Sequence, residues 1–225
     1  MPRPTREGRQ QQLAETQARL LTAAAEEFAR AGYTGANINH ISEAAGFAKG
    51  TVYNYFPSKR ALLNAVIDHV AAEHTTFVQA QMEAEPDPAA RLTRLFAAGF
   101  AFVEQHRAPA QVIINVVYGP DAEFKERVYQ AYDPLFNVLI RDTLQAGVAC
   151  GAFRPLDPDT AAAVIMAIYL GGCSQVDAMG KIWLDPGQVS GLILDGLRAP
   201  EGRPARRRPS GPPAVTRSRN KGGTS

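Results

Sequence analysis

Cysteine is scarce in this sequence, and long apolar runs are missing from it. Only Cys150 and Cys173 occur among the 225 residues, which excludes a disulfide framework, and a separation of 23 residues matches no common zinc-ligand spacing. No apolar run reaches the about 18 residues that a membrane-spanning helix requires, and the polar start MPRPTREGRQQQ is unlike a signal peptide. We therefore expect a cytoplasmic protein with no membrane contact, in which both cysteines are small core residues.

Recognisable catalytic motifs are also lacking. The four histidines, at positions 40, 69, 74 and 106, have no serine or cysteine pattern typical of a nucleophilic catalyst, and no glycine-rich phosphate loop is present. His69 and His74 are five residues apart and do not share a helical face, which argues against a metal site. The sequence predicts neither an enzyme nor a bound cofactor or metal.

The net charge of +2 conceals an uneven distribution. Residues 1–67 carry eight Lys or Arg against five acids, residues 68–197 carry eight against sixteen, and residues 198–225 carry eight against one. We therefore expect a polyanion to bind the two ends of the chain and not its middle. The tail 199–225, rich in proline and glycine, is expected to be disordered, either as an electrostatic arm for phosphates or as a solubilising segment.

The apolar periodicity is helical throughout, so an all-α fold is expected. A first helix carries an i, i+3, i+4 stripe from Leu13 to Phe28 and stops at Gly32. Asn37 caps a short second helix that Gly46 ends. A long helix starts after the cap Ser58 and continues to about residue 84.

The stretch GFAKGTVYNYFPSK, residues 46–59, predicts a third helix over about 48–56, closed by the following proline. Its inward face is apolar and consists of Val52, Tyr55 and Phe56. Its outward face offers one cation, hydrogen-bonding groups and a mid-helix glycine, namely Lys49, Gly50, Tyr53 and Asn54, with Thr51 at the edge. Such a face suits a DNA major groove, with the glycine allowing close backbone approach.

These residues resemble the TetR family of bacterial transcriptional regulators. The family signature AA…F…GY, then AGVSKGTLYHYF and SKEALL, is matched from Leu20 to Val66, about a quarter of the chain. The departures include Ala36, Asn37, His40 and Ala48, of which Ala48 replaces the serine that usually caps the third helix. His40 is then either a solvent-facing residue or a phosphate contact that strengthens on protonation.

The resemblance implies a set of DNA contacts in and around the third helix: Asn37, Ala48, Lys49, Gly50, Thr51, Tyr53, Asn54 and Lys59. Tyr53 could instead close the small core, and Lys59 could be an ordinary surface lysine. The partner implied is a double-stranded DNA operator, read as a palindrome by a homodimer.

Four Asp-Pro pairs mark the rest of the chain. Three predict helices near 87–106, 157–179 and 185–198, whereas Asp133-Pro134 falls inside a helical pattern over 121–149 and predicts a kink. With a short helix between 109 and 118, the total is about nine helices. We expect a flexible basic arm over 1–12, a helix-turn-helix domain over 13–67 and an effector-binding and dimerisation domain over 68–198.

The resemblance also implies an effector pocket and a dimer interface in the second domain. The pocket candidates are aromatic or apolar: Phe96, Phe100, Phe102, Ile113, Val117, Tyr118, Tyr132, Phe136 and Tyr169. The interface candidates combine small and apolar residues of the last two helices: Ala161, Ile165, Ile168, Gly172, Val189, Leu192 and Ile193. Each residue of both sets has an alternative role as ordinary core packing.

The predicted function is a homodimeric repressor that an apolar or aromatic small molecule releases from a palindromic operator. The alternative is a helical protein-interaction adaptor or co-regulator that keeps the fold without binding an operator. Retention on DNA distinguishes the two.

Overall fold

The computed structural model describes residues 5–83 and 85–198, and its regular structure is helical. Within these residues the only pairings of β type are two isolated bridges, Phe153 with Arg198 and Val176 with Ile182. The expected disordered tail 199–225 and the first four residues of the expected arm lie outside the described residues. No helix in the described part of the chain is long and apolar enough to cross a membrane.

Helices follow one another with short connections along the described chain. The α-helices are α1 (Arg6–Gly35), α2 (Ile38–Ala44), α3 (Lys59–Glu83), α4 (Pro88–Gln105), α5 (Arg107–Val117), α6 (Ala122–Ala131), α7 (Arg141–Ala149), α8 (Pro158–Cys173) and α9 (Pro186–Leu197). A 3₁₀ helix, Thr51–Asn54, lies between α2 and α3, and a π-helix, Pro134–Ile140, joins α6 to α7. The all-α prediction is confirmed.

The N-terminal head consists of α1, α2, the 3₁₀ helix and the start of α3. The inward stripe of α1 buries Leu20, Ala24 and Phe28 against α2 and α3. Gly32 has φ of 67° and interrupts α1 where the sequence predicts a stop. Because α1 begins at Arg6, residues 6–12 of the expected arm are helical.

The body is built from α4 to α9 and packs directly against the head. Helix α3 runs from the head into the body, where it contacts α4 and α6, while α1 contacts α5. The buried side chains of head and body form one continuous apolar cluster. A change in body packing can therefore reach the head through α1 as well as through α3.

Helices α4 and α9 begin at Asp-Pro pairs, as the capping preferences of these two residues predict. Asp87 accepts a hydrogen bond from the Ala90 amide at 2.8 Å, and Asp185 accepts one from the Gln188 amide at 2.7 Å, each before a proline in the first turn. Pro134 begins the π-helix, so the irregularity expected at this position is a widened helical turn.

The predicted third helix is wrong in its length and in placing Gly50 inside the helix. Residues 48–50 form a turn, with φ of 79° at Gly50, and only Thr51–Asn54 are helical, in 3₁₀ geometry. A residue with positive φ cannot continue a right-handed helix, and Ala48 offers no side chain to cap one. Open space surrounds the position where a Cβ of residue 50 would lie, so within the protein the glycine serves the turn and not a close packing contact.

Candidate DNA-binding surface and effector core

The outward face of the turn and 3₁₀ helix is exposed, as the DNA-contact hypothesis requires. Tyr53 is 55% exposed, and Ala48, Lys49 and Asn54 are exposed beside it, whereas Gly50 and Thr51 are half-buried. Lys49 lies 3.4 Å from the Glu43 carboxylate across the surface, a pair that costs little to break. Because Val52 and Phe56 are buried behind it, the segment presents one polar face on an apolar base.

A buried serine that the sequence analysis did not single out fixes this segment. The Ser42 hydroxyl in α2 donates to the Ile38 carbonyl and accepts from the Val52 amide, both at 3.3 Å. Ser42 is fully buried, so its hydroxyl is the partner that satisfies an otherwise free amide of the 3₁₀ helix. The only feature of the sequence that points to this role of Ser42 is a polar residue at an inward position of α2.

The start of α2 is held by a buried carboxylate. Asn37 caps the helix through its side chain, and its own backbone amide donates to Glu27 of α1 at 3.0 Å. Glu27 also accepts from Arg30 at 2.8 Å and from His40 Nδ1 at 2.9 Å, and its side chain is only 3% exposed. Burial alone would raise the pKa of Glu27, but these hydrogen bonds outweigh it and lower the pKa to about 2.

Two expected DNA contacts therefore have structural partners. Asn37 is a helix cap, and Lys59 donates to the Thr34 carbonyl at 2.9 Å with its ammonium 5.3 Å from the centre of the Tyr33 ring. Lys59 thus ties α3 to the end of α1. His40 lies against Glu27 with its side chain 57% exposed, so it joins the cap network while remaining open to solvent.

In the body, a polar cluster lies inside the apolar core. His74 of α3 lies 3.1 Å from the Tyr132 hydroxyl through Nδ1 and 2.7 Å from the Tyr169 hydroxyl through Nε2. Its ring stacks on Phe102 with centroids 4.3 Å apart. This cluster joins α3, the end of α6 and α8, and His74 is not among the predicted pocket residues.

The cluster is electrically neutral at ordinary pH. Burial, with a smaller contribution from the charge on His106, lowers the pKa of His74 to about 3. Burial raises the pKa of Tyr132 and of Tyr169 well above the usual range, and raises that of the Cys173 thiol to about 12. A neutral imidazole donates from one nitrogen and accepts at the other, so both tyrosine hydroxyls can be satisfied.

The predicted pocket residues mostly meet in this core, which is nearly full. Phe96, Phe100, Phe102, Ile113, Tyr132, Phe136 and Tyr169 are all buried. The cavity beside His74 measures about 30 Å³, the space of one water molecule. Gly99 admits the Tyr169 ring and Gly172 admits the Phe100 ring, because a Cβ on either glycine would collide with these side chains.

Two predicted pocket residues lie elsewhere. Tyr118 is 62% exposed and Val117 is half-buried at the end of α5. Tyr118 lines a separate cleft of about 520 Å³ between α1 and the turn from α5 to α6. Tyr118 is five residues after Ile113, so helical periodicity turns it away from the inward face that carries Ile113. Val117 is one turn after Ile113 and shares that face, but it is the last residue of α5 and is only half-buried.

The outer face of α8 and α9 forms an apolar groove of about 670 Å³. Its lining includes Leu192, which is 78% exposed, and Ile168, which is 39% exposed. The predicted interface residues Ala161, Ile165, Val189 and Ile193 also line it. Gly172 does not, because it faces Phe100 inside the body.

Comparison with known proteins places these observations in a family. A sequence model described as bacterial regulatory proteins, tetR family, matches residues 20–66, which span α1 to α3 including the 3₁₀ helix. The HTH-type transcriptional repressor KstR2 of Mycolicibacterium smegmatis is 31% identical over 147 residues, covering 62% of this chain and 69% of the relative. The chain belongs to the TetR family of transcriptional regulators.

Solved structures of bacterial regulators superpose over most of the chain. The fatty acid degradation regulator FadR from Bacillus halodurans has a TM-score of 0.72 at 24% identity, covering 81% of this chain and 96% of that one. FadR from Bacillus subtilis in complex with stearoyl-CoA has a TM-score of 0.69 at 19% identity, covering 79% and 95%. At these identities the likeness establishes the fold. KstR2 and both FadR proteins are regulators by name, and none of the three names denotes an enzyme.

Proposed function

We propose that this protein is a cytoplasmic, homodimeric repressor that binds a palindromic operator and is released by a small molecule with a large apolar part. The observation that carries the proposal is the exposed polar face of Lys49, Tyr53 and Asn54, with the half-buried Thr51 beside it, on a buried apolar base. A hydroxyl, an amide and a cation on one small exposed surface can reach base edges and phosphates together. The repressor role follows the name of KstR2.

The dimer is supported by the apolar groove on α8 and α9. Leu192, Ile168 and Val164 are exposed large apolar side chains on adjoining helices, which is unusual for a surface that stays in water. A second copy of the same surface, related by a two-fold axis, would cover them in a four-helix arrangement. Two heads one helical turn of DNA apart, ~34 Å, would then read the two halves of a palindrome.

The effector would occupy the core around His74, Tyr132 and Tyr169. The cavity there is far smaller than a ligand, so binding must displace aromatic side chains and shift α3, which continues into the head. To turn a bound population into a free one, the ligand must favour the released conformation by ~5 kcal/mol. The stearoyl-CoA bound by FadR from Bacillus subtilis is a precedent for an apolar tail in this fold.

The test is a footprint of the purified protein on the DNA flanking its own gene, followed by titration of apolar compounds. We expect protection of a palindromic site and its loss on ligand binding. Absence of retention on any DNA at low salt, with a protein partner bound instead, would favour the adaptor. Ligands that bind tightly without changing occupancy would contradict the release mechanism alone.

A further inference from the structure

A second cleft, of about 410 Å³, opens between α1, α5 and the loop that follows α8. Val103, Ala110 and Ile114 line this cleft and also line the small cavity beside His74. These three side chains therefore separate the proposed effector core from solvent at this point. Ile114 is half-buried and lines both spaces, so a rotamer change at this residue would alter the barrier between them.

The cleft carries more positive than negative charge. Arg30 of α1 and Arg107 of α5 line it, against one acid, Glu26. The loop approaches Arg107 closely at Gly180, where a Cβ would lie 2.8 Å from the guanidinium. Gly180 has φ of 72°, so both its backbone and its missing side chain allow the loop to meet the arginine.

Arg30 also belongs to the network that holds the start of α2. Its Nη2 donates to Glu27 at 2.8 Å, and the same oxygen of Glu27 accepts from His40. The Arg30 side chain is 67% exposed, whereas that of Glu27 is 3% exposed. The arginine can thus turn towards the cleft, while the carboxylate cannot follow without leaving the Asn37 amide.

We propose that this cleft is the entrance to the effector core, that it binds the anionic head group of an amphipathic ligand through Arg107 and Arg30, and that the bound anion draws Arg30 away from Glu27. The apolar tail passes between Val103 and Ile114 towards His74. This inference rests on the proposed function and specifies its ligand: an anion, carboxylate or phosphate, joined to an apolar tail.

The consequence for DNA binding is electrostatic. A buried carboxylate that loses a guanidinium partner is less stable in its place, so the contact with Asn37 weakens and the start of α2 becomes less fixed. Helix α2 supports the 3₁₀ helix through Ser42 and Val52. An anion in the cleft therefore lowers operator affinity by a route separate from the movement of α3.

The binding step is tested without DNA. Decanoyl-CoA, decanoate and decanol are titrated by calorimetry and by the fluorescence of Trp183, the single tryptophan, which lies on the loop lining the cleft. We expect at least one anion to bind more tightly than decanol, and Arg107→Gln to weaken that anion about tenfold while leaving decanol unchanged. Binding of decanoate indicates a carboxylate site, and binding of decanoyl-CoA alone indicates a phosphate site.

The matched control is Arg94→Gln, an exposed arginine of α4 that lines a different cleft. If no anion binds more tightly than decanol, or if Arg94→Gln and Arg107→Gln weaken anion binding equally, the entrance is wrongly placed.

The effect of the bound anion on DNA binding is measured with DNA that the protein selects from a random library. We expect the anion to lower the affinity of the wild type for this DNA severalfold. In Arg30→Gln the anion should lower DNA affinity less than in the wild type. In Arg30→Lys the effect of the anion should be partly restored. An equal ligand-dependent change in wild type and Arg30→Gln would overturn the coupling. Failure to select any DNA would refute the proposed function, while the calorimetry still decides the cleft.

Discussion

His74 Nε2 lies 2.7 Å from the hydroxyl of Tyr169, so the helix that leaves the head is hydrogen-bonded to a helix of the proposed dimer surface. The contact spans 95 positions of sequence and lies in a core with almost no free volume. It links α3 to α8 inside the body. A ligand in this core must break or replace this hydrogen bond.

The pH dependence of stability tests the state of His74. The pKa of His74 is about 3 in the folded protein and 6.5 in the unfolded chain. Between pH 6.5 and pH 3 the unfolded chain therefore binds a proton at His74 that the folded protein does not bind. The free energy of unfolding consequently falls as the pH falls below 6.5. At pH 5 the loss from this group is about 2 kcal/mol. We expect His74→Gln, which keeps hydrogen-bonding groups but cannot titrate, to lose this part of the slope.

The measurement is urea unfolding of both proteins at pH 5 and pH 7.5. His69→Gln is the control, because His69 lies on the same helix but is partly exposed beside Glu73. If wild type and His74→Gln change equally between the two pH values, His74 is not a buried group that stays neutral in the folded protein.

Removal of the Ser42 hydroxyl should destabilise the head. Ser42→Ala leaves the Val52 amide buried without its partner, at a cost of about 1–3 kcal/mol in the free energy of unfolding. Operator affinity should fall as well, because the 3₁₀ helix loses its fixed position. Thr22→Ala, which removes an exposed hydroxyl from α1, is the matched control and should change neither quantity by more than about 0.5 kcal/mol.

The dimer proposal predicts that a charge on the α8 and α9 groove gives monomers. Leu192→Glu should shift the protein to the monomer mass in sedimentation, since a carboxylate would be buried without a partner in the interface. Its helical circular dichroism should be unchanged, because Leu192 is 78% exposed in the single chain. Val138→Glu, at an apolar residue that is 49% exposed on the π-helix, is the control. An unchanged dimer in Leu192→Glu would place the interface elsewhere.

Features governed by local sequence are predictable, and features governed by tertiary contact are not. The Asp-Pro helix starts, the stop at Gly32 and the irregularity at Pro134 follow from backbone chemistry within a few residues. The left-handed turn at Gly50 cannot be told from a helical glycine by sequence, because glycine is compatible with both conformations.

The same distinction applies to the candidate site. The outward position of Tyr53 follows from helical periodicity, which survives in a short 3₁₀ helix. The roles of Glu27, Ser42 and His74 depend on partners 10 to 95 residues away, which a single sequence does not reveal. The family resemblance predicts that Lys59 contacts the DNA backbone, but the sequence does not reveal that its ammonium also donates to the Thr34 carbonyl.

The most direct test of the central claim is DNA binding by the double variant Lys49→Ala, Tyr53→Ala. Both side chains are exposed and neither supports the core, so the variant should fold and associate like the wild type. Tyr129→Ala, at an exposed tyrosine of α6, is the control for loss of a surface aromatic. On DNA selected by the wild type, a gel shift should show specific binding by Tyr129→Ala and no specific binding by the double variant. The wild type and both variants should elute at the same volume from a sizing column. Unchanged affinity in the double variant would contradict the assignment of this surface to DNA.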